Sequence, residues 1–208
     1  MSASPKPLIF LASASPRRSA LLTQLGVQHQ VRPVDIDEQI LLGETPSQYV
    51  RRLAIAKAEV LWSRLSDDER RPVLGSDTSV ALGNDILGKP KDQADGLQML
   101  QRLSARTHQV YTAVALRHAA GCESRLSVSD VTFRALSRVE MAAYWRTGEP
   151  ADKAGGYAIQ GLAALFIERI AGSYSGIVGL PLFETGELLH MIGYTLLDGA
   201  ARHGESGG

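Results

Sequence analysis

Two adjacent arginines, Arg17 and Arg18, open a leucine-rich stretch in LIFLASASPRRSALLTQLG, residues 8–26. Positive charge at the first turn of a helix adds to the partial positive charge of the free backbone N–H groups, so it is unfavourable unless an anion offsets both. Ser13 and Ser15 bring hydroxyl donors to the same point. Helix amides, hydroxyls and guanidinium forks together suit phosphate oxygens. A capped helix with solvated arginines is the competing reading.

Lys57 is the second unusual residue. On a helical wheel it falls among Val50, Leu53, Val60 and Leu61, inside an apolar stripe where an unpartnered ammonium is costly. It either faces a site or snorkels past the edge. Asp77 is the third, because aspartate is depleted in strands and VLGSDTSVALG otherwise reads as one. Alternation puts Thr78, Val80 and Leu82 on one face and Asp77, Ser79 and Ala81 on the other. Asp77 could end the strand and bond a turn, take a proton from water, or hold a divalent cation. The run DIDE adds Asp35, Asp37 and Glu38, oxygen donors for a hard cation or simply an exposed acidic loop.

GNDILGKP, residues 83–90, nearly matches a P-loop, but Pro90 replaces the metal-holding hydroxyl and removes a backbone N–H. That reading is rejected, while Lys89 stays a candidate phosphate contact. The five histidines lack metal-ligand spacing, and His108 and His118 read as structural. No nucleophile elbow or dinucleotide fingerprint is present. The glycines of GSYSGIVGLP are explained by tight turns.

These residues need elements to hold them. LIFLAS reads as a buried strand, with Ser15 as N-cap and Pro16 as first residue of a helix ending at Gly26. A strand near HQVRPV follows, then a long helix with Thr45 and Gln48 at capping-box spacing and Pro46 at its first position. PVLGSDTSVALG is a strand and DQADGLQMLQRLS a helix. HQVYTAVALRH and SRLSVSDVTFRAL are long strands joined around Gly121. A helix near residues 139–146, a glycine-rich stretch and a last helix near LFETGELLHMI complete the chain. Strand–helix alternation with adjacent long strands predicts an α/β fold on a mixed sheet.

The chain has 208 residues, 44% of them hydrophobic, which suffices for one sizeable core. A domain over residues 8–198 is expected, with flexible tails at 1–7 and 199–208. Twenty-two basic residues balance 22 acidic ones, so no global field draws the chain to nucleic acid or an acidic membrane. One cysteine, no signal-like N-terminus and no spanning apolar run point to a cytoplasmic protein.

The ordered set LASASPRR, RLAIAKA, LGSDTSV, LGKP, LSARTHQVYTAVAL, DKAGGYAIQG and GSYSGIVGLPLFET resembles the Maf family of nucleoside triphosphate pyrophosphatases. The resemblance implies an elongated mixed-sheet α/β fold with a cleft between two lobes, similar to inosine triphosphate pyrophosphatases, and a homodimer. It implies hydrolysis of a nucleoside triphosphate to monophosphate and pyrophosphate, assisted by a divalent cation (magnesium, manganese or cobalt). Asp77 matches the general base, and Glu38, Lys57 and Lys89 match polar residues of the catalytic cleft. Arg17, Thr78 and Gln160 match positions of substrate choice, and Ser13, Ser15, Arg17 and Arg18 would hold the phosphates. Glu38 and Asp77 are the expected metal ligands, with ligand and base not yet distinguished. The arginine of SPRR with the glutamine of YAIQG resembles the branch acting on dTTP and UTP. The 7-methyl-GTP branch and a nucleotide-binding regulator of division without turnover are the alternatives. Ala105, where the family has glycine, is a departure in a turn.

Overall fold

A computed structural model describes residues 7–196. Apart from Pro7, the expected tails lie outside the described residues. The described chain forms one mixed sheet of seven strands: β1 (Ile9–Leu11), β2 (His29–Val31), β3 (Val73–Leu82), β4 (Asp85–Leu87), β5 (Thr107–His118), β6 (Gly121–Phe133) and β7 (Ile167–Ala171). Their order is β2-β1-β3-β5-β6-β7, with β4 paired to β3. The pairs β1–β2 and β1–β3 are parallel and the others antiparallel, as the adjacent long strands required. Six helices accompany it: α1 (Pro16–Gln24), α2 (Pro46–Ser63), α3 (Gln93–Leu103), α4 (Arg138–Arg146), α5 (Tyr174–Val178) and α6 (Leu182–Met191).

α2 packs on one face of the sheet, where Val50, Ala54 and Ala58 meet Phe10, Val73 and Ala113. The opposite face carries the larger core, including Leu22, Leu74, Leu100, Val114, Phe133 and Leu188. Each fully buried leucine contributes about 1.5–3 kcal/mol. α2 starts where its capping box predicts: Gln48 N–H donates to Thr45 Oγ1 at 3.4 Å, and Thr45 N–H to Gln48 Oε1 at 3.0 Å. The N-cap expected at Ser15 is only positional. Its side chain makes no capping bond, and its own N–H donates instead to Ser13 Oγ at 3.2 Å. The first amides of α1 therefore keep no side-chain acceptor of their own.

Two features of β3 shape the space beside it. Gly75 lets α2 press onto the strand, since a Cβ there would sit 2.2 Å from the Ala54 carbonyl oxygen. One edge of β3 is paired with β5 from Val73 to Ala81, but the other meets β1 only at Val73 and Leu74 and β4 only from Val80 to Leu82. Residues 75–79 are thus left with an open edge.

The segment resembling a P-loop is a hairpin, with Leu82 paired to Asp85 across the turn Gly83-Asn84. The glycine-rich stretch holds β7 and α5, neither of which periodicity announces. Ala105 is the one non-glycine at positive φ among the described residues, at 57°. A left-handed alanine costs about 1–2 kcal/mol, so the departure from glycine falls where it is strained.

His108 is structural, fully buried on β5 with its Nε2 2.8 Å from the Tyr157 hydroxyl and its ring edge-on to Phe133. Burial pulls its pKa from 6.5 down to about 4, with Asp130 opposing. Between those values the unfolded chain binds a proton that the folded chain refuses, so this contribution is present above pH 6.5 and lost as pH falls toward 4. At ~1.4 kcal/mol per pH unit, the loss should reach roughly 3 kcal/mol. Urea unfolding of wild type and His108→Gln across this range checks it: the variant should lose that part of the slope, and parallel curves would exclude it.

Candidate active site

A cleft of about 890 Å³ opens where β3 has its unpaired edge, and residues from both faces of the strand reach it. From the α2 face comes Asp77, buried in the strand, and from the other face comes Thr78. The turn after β1 enters the same cleft with Ser13 and Ser15, and the first turn of α1 with Arg17 and Arg18. The β2–α2 segment brings Glu38, the segment after β4 brings Lys89, and the stretch before β7 brings Gln160. Of the carboxylates of DIDE, Asp35 and Glu38 line this cleft and Asp37 does not: its Oδ1 accepts the Gln39 N–H at 2.9 Å instead.

Its floor is an ionic cluster. Lys57 Nζ donates to Asp77 Oδ1 at 2.7 Å and lies 2.7 Å from Glu38 Oε1. Lys57 does not snorkel: it is buried within the stripe of Val50, Leu53, Ala54 and Leu61, and points along β3 into the cleft. Burial raises the Asp77 carboxyl above its ordinary value, outweighing the opposing pull of Lys57 and Arg18. Burial also pushes Glu38 upward, but the hydrogen bond and charge of Lys57, with Lys89 and Arg18, outweigh it and hold that carboxyl low. Neighbouring acids whose environments drive them apart suit different roles, the raised one as proton acceptor and the lowered one as the more persistent anion.

The two arginines divide their work. Arg18 is braced inward: Nε donates to the Gly179 carbonyl at 2.8 Å, Nη1 to Ser13 Oγ at 3.0 Å and Nη2 to Thr78 Oγ1 at 3.2 Å. Thr112 Oγ1, 3.0 Å from Thr78 Oγ1, extends the chain of contacts toward the Gly176 carbonyl. Arg17 has no hydrogen bond or ion pair among the described residues, and neither does exposed Lys89. The cleft cations free to meet an anion are therefore the side chains of Arg17 and Lys89, with the remaining N–H groups of Arg18. Gln160 is exposed on the opposite rim, its carboxamide bonded to nothing among the described residues. It is not tied to its own turn.

Reading the sequence missed Lys153 and Gly179. Lys153 lines the cleft and pairs with Asp152, and Gly179 at φ 128° offers its carbonyl to Arg18 and Ser76. The DK pair that opens DKAGGYAIQG was the available signal for the lysine.

Among the described residues no group of three or more His, Cys, Asp or Glu could hold a metal ion. Glu38 and Asp77 fit a hard divalent cation as oxygen donors: Glu38 Oε1 and Asp77 Oδ1 each lie 2.7 Å from Lys57 Nζ, so the two carboxylates converge at the floor. Magnesium commonly takes only one or two carboxylates, completing its shell with water and substrate phosphates.

Lys57 is what keeps the Asp77 charge tolerable. In Lys57→Met the Asp77 and Glu38 carboxyls should both titrate at higher pH than in wild type, because each loses its nearest cation. Carbon-detected NMR of the side-chain carboxyls checks this, and unmoved titrations would mean the cluster does not form in solution.

The family model described as Maf-like protein matches residues 8–192. The chain is 56% identical over 183 residues to a dTTP/UTP pyrophosphatase of Saccharophagus degradans, covering 87% of each. It is 52% identical over 190 residues to a dTTP/UTP pyrophosphatase of Alkalilimnicola ehrlichii, covering 88% of this chain and 92% of that one. Among solved structures, the Staphylococcus aureus Ham1 protein aligns with TM-score 0.44 and 14% identity, over 61% of this chain and 71% of that chain. With a family model spanning nearly all the described residues and relatives above half identity, the chain belongs to the Maf-like protein family.

Proposed function

We propose that this chain is a metal-assisted pyrophosphatase that converts dTTP and UTP to the monophosphate and pyrophosphate. The relatives named dTTP/UTP pyrophosphatase support the substrate. The observation that carries the chemistry is the Asp77–Lys57–Glu38 cluster at the floor of a cleft whose rim holds unpaired cations. Phosphoryl transfer needs little covalent help from protein; it needs charge stabilisation and an oriented nucleophile.

Asp77, raised by burial yet held ionisable by Lys57, accepts a proton as water oxygen attacks the α-phosphorus and the bond to the β-phosphate bridging oxygen breaks. Arg17, Lys89 and the uncapped first turn of α1 hold the phosphate oxygens and the pyrophosphate that leaves. Glu38 and Asp77 would hold the divalent cation, which supplies charge neutralisation on the phosphates when bound. Arg18, braced by Thr78 and Gly179, fixes the helix start relative to β3. Gln160, with a free carboxamide, faces the base: an amide can donate to O4 and accept from N3–H of uracil or thymine, a pattern cytosine does not match.

A panel of UTP, dTTP, CTP and 7-methyl-GTP, with pyrophosphate and monophosphate identified separately, tests the substrate assignment. UTP and dTTP should lead, activity should vanish in chelator, and Gln160→Ala should narrow the UTP to CTP ratio of kcat/KM mainly by harming UTP. An unchanged ratio removes Gln160 from base choice; preference for 7-methyl-GTP overturns the substrate.

Asp77→Asn should lower turnover roughly 10²–10⁴-fold while nucleotide binding survives, as expected when a general base is lost. Wild-type turnover in this variant would end the assignment and favour a binding protein.

A further inference from the structure

Glu38 reaches the cleft from a segment that has almost no structure of its own. Residues 33–40 make no backbone–backbone hydrogen bond among the described residues, and most of the segment is exposed. Its ion pair with Lys57 leaves the Glu38 side chain half exposed, and such a pair fixes position weakly. Something else must set where Glu38 stands.

α2 supplies it. The Tyr49 hydroxyl donates to the Glu38 carbonyl at 3.0 Å, and Arg52 Nη2 donates to the next carbonyl, Gln39, at 2.9 Å. The same guanidinium grips Glu44 with both forks, Nε to Oε1 at 2.6 Å and Nη2 to Oε2 at 2.7 Å, and it lies 5.6 Å from the Tyr49 ring centroid. Glu44 in turn accepts the Leu41 N–H at 3.1 Å, closing the far end of the segment. Tyr49 and Arg52 stand one turn apart on the helix that carries Lys57, so one rigid element presents the ammonium and also sets the backbone of the carboxylate opposite. Burial pushes the Tyr49 hydroxyl up to about 12, which keeps it a donor throughout the neutral range.

We infer that Tyr49 and Arg52 are positioning residues for Glu38, holding two successive carbonyls so that its carboxylate meets Lys57 at the cleft floor. Arg52 does not line the cleft, and the Tyr49 hydroxyl is committed to the Glu38 carbonyl, so neither is assigned contact with the phosphates. The inference rests on the role proposed for Glu38 in hydrolysis.

Tyr49→Phe and Arg52→Gln, each alone and combined with Glu38→Gln, form double-mutant cycles. Each single change should lower kcat for UTP roughly 10-fold with KM nearly unchanged, since a small misplacement of a reacting group harms the transition state more than binding. Arg52→Lys should recover part of the loss by keeping the charge opposite Glu44. In the Glu38→Gln background the same changes should cost less than about twofold, because their effect runs through that carboxylate. Losses of equal size in both backgrounds, or full activity in both single variants, overturn the inference. Amide hydrogen exchange at Gln39, Leu41 and Glu44, whose N–H groups donate to Asp37 Oδ1, Glu44 Oε2 and the Leu41 carbonyl, gives a readout in the nucleotide-free protein that needs no catalysis. Faster exchange in Tyr49→Phe and Arg52→Gln, at unchanged Tm, is expected; wild-type protection overturns the clasp whatever the kinetics. If Glu38→Gln keeps wild-type turnover, the role proposed for Glu38 fails instead, and exchange still reports whether α2 holds the segment.

Discussion

A buried ammonium must have a counter-ion, and in this fold that requirement draws three separate parts of the chain to one point. Lys57 sits in the apolar stripe of α2, where its charge without partners would be severely penalised. Its partners come from the middle of β3 and from an irregular segment, 20 and 19 residues away in sequence respectively. The contact is feasible only because α2 lies close against the sheet, and that closeness depends on Gly75, whose missing side chain leaves room for the Ala54 carbonyl. A small residue in a strand thereby governs the geometry of a charged cluster two positions along.

The same strand solves a second problem. A side chain on one face of a sheet is normally separated from those on the other by continuous pairing. β3 is paired along one edge only between residues 75 and 79, so Asp77 from one face and Thr78 from the other both border a single opening. The large core anchors the Thr78 side through Thr112, Gly176 and Gly179, and α2 anchors the Asp77 side. Carboxylate chemistry and arginine bracing can therefore be built on different cores and still meet.

Much of this was legible from local rules. Proline at the first helical position, the Thr45–Gln48 capping box, alternation along residues 73–82 and a lysine on an apolar stripe each act within a few residues, and the structure bears each of them out. Ser15 falls at its predicted position without capping; its N–H donates to Ser13 Oγ, which also accepts from Arg18 Nη1. β4, β7 and α5 are not legible for a different reason. They are five residues or fewer, and β7 is mostly exposed, so periodicity has too few positions to register. The grip of Arg52 was invisible because its partners, Gln39 and Glu44, lie in an aperiodic segment, and an arginine beside Arg51 reads as an ordinary solvated face. Ion pairs that fold a loop back on a helix carry no spacing rule.

The chain carries no net charge, yet its cleft separates charge locally. Lys57 is answered by Glu38 and Asp77, and Lys153 by Asp152. Arg18 hydrogen-bonds only hydroxyls and a carbonyl and feels Asp77 and Glu38 at longer range, and the side chains of Arg17 and Lys89 make no hydrogen bond or ion pair among the described residues. Cations without an ion-pair partner thus stand beside the open amides of α1, while at the floor two carboxylates share one ammonium. In the proposed reaction a triphosphate would meet one guanidinium, Arg18, already braced in place, and two cations, Arg17 and Lys89, with no partner to give up as charge develops on the leaving pyrophosphate. The cluster beneath holds its two carboxylates on one lysine rather than on an arginine. In the proposed reaction the cations that would receive the substrate are thus separate from the lysine that would tune the base, and each can be strong without neutralising the other.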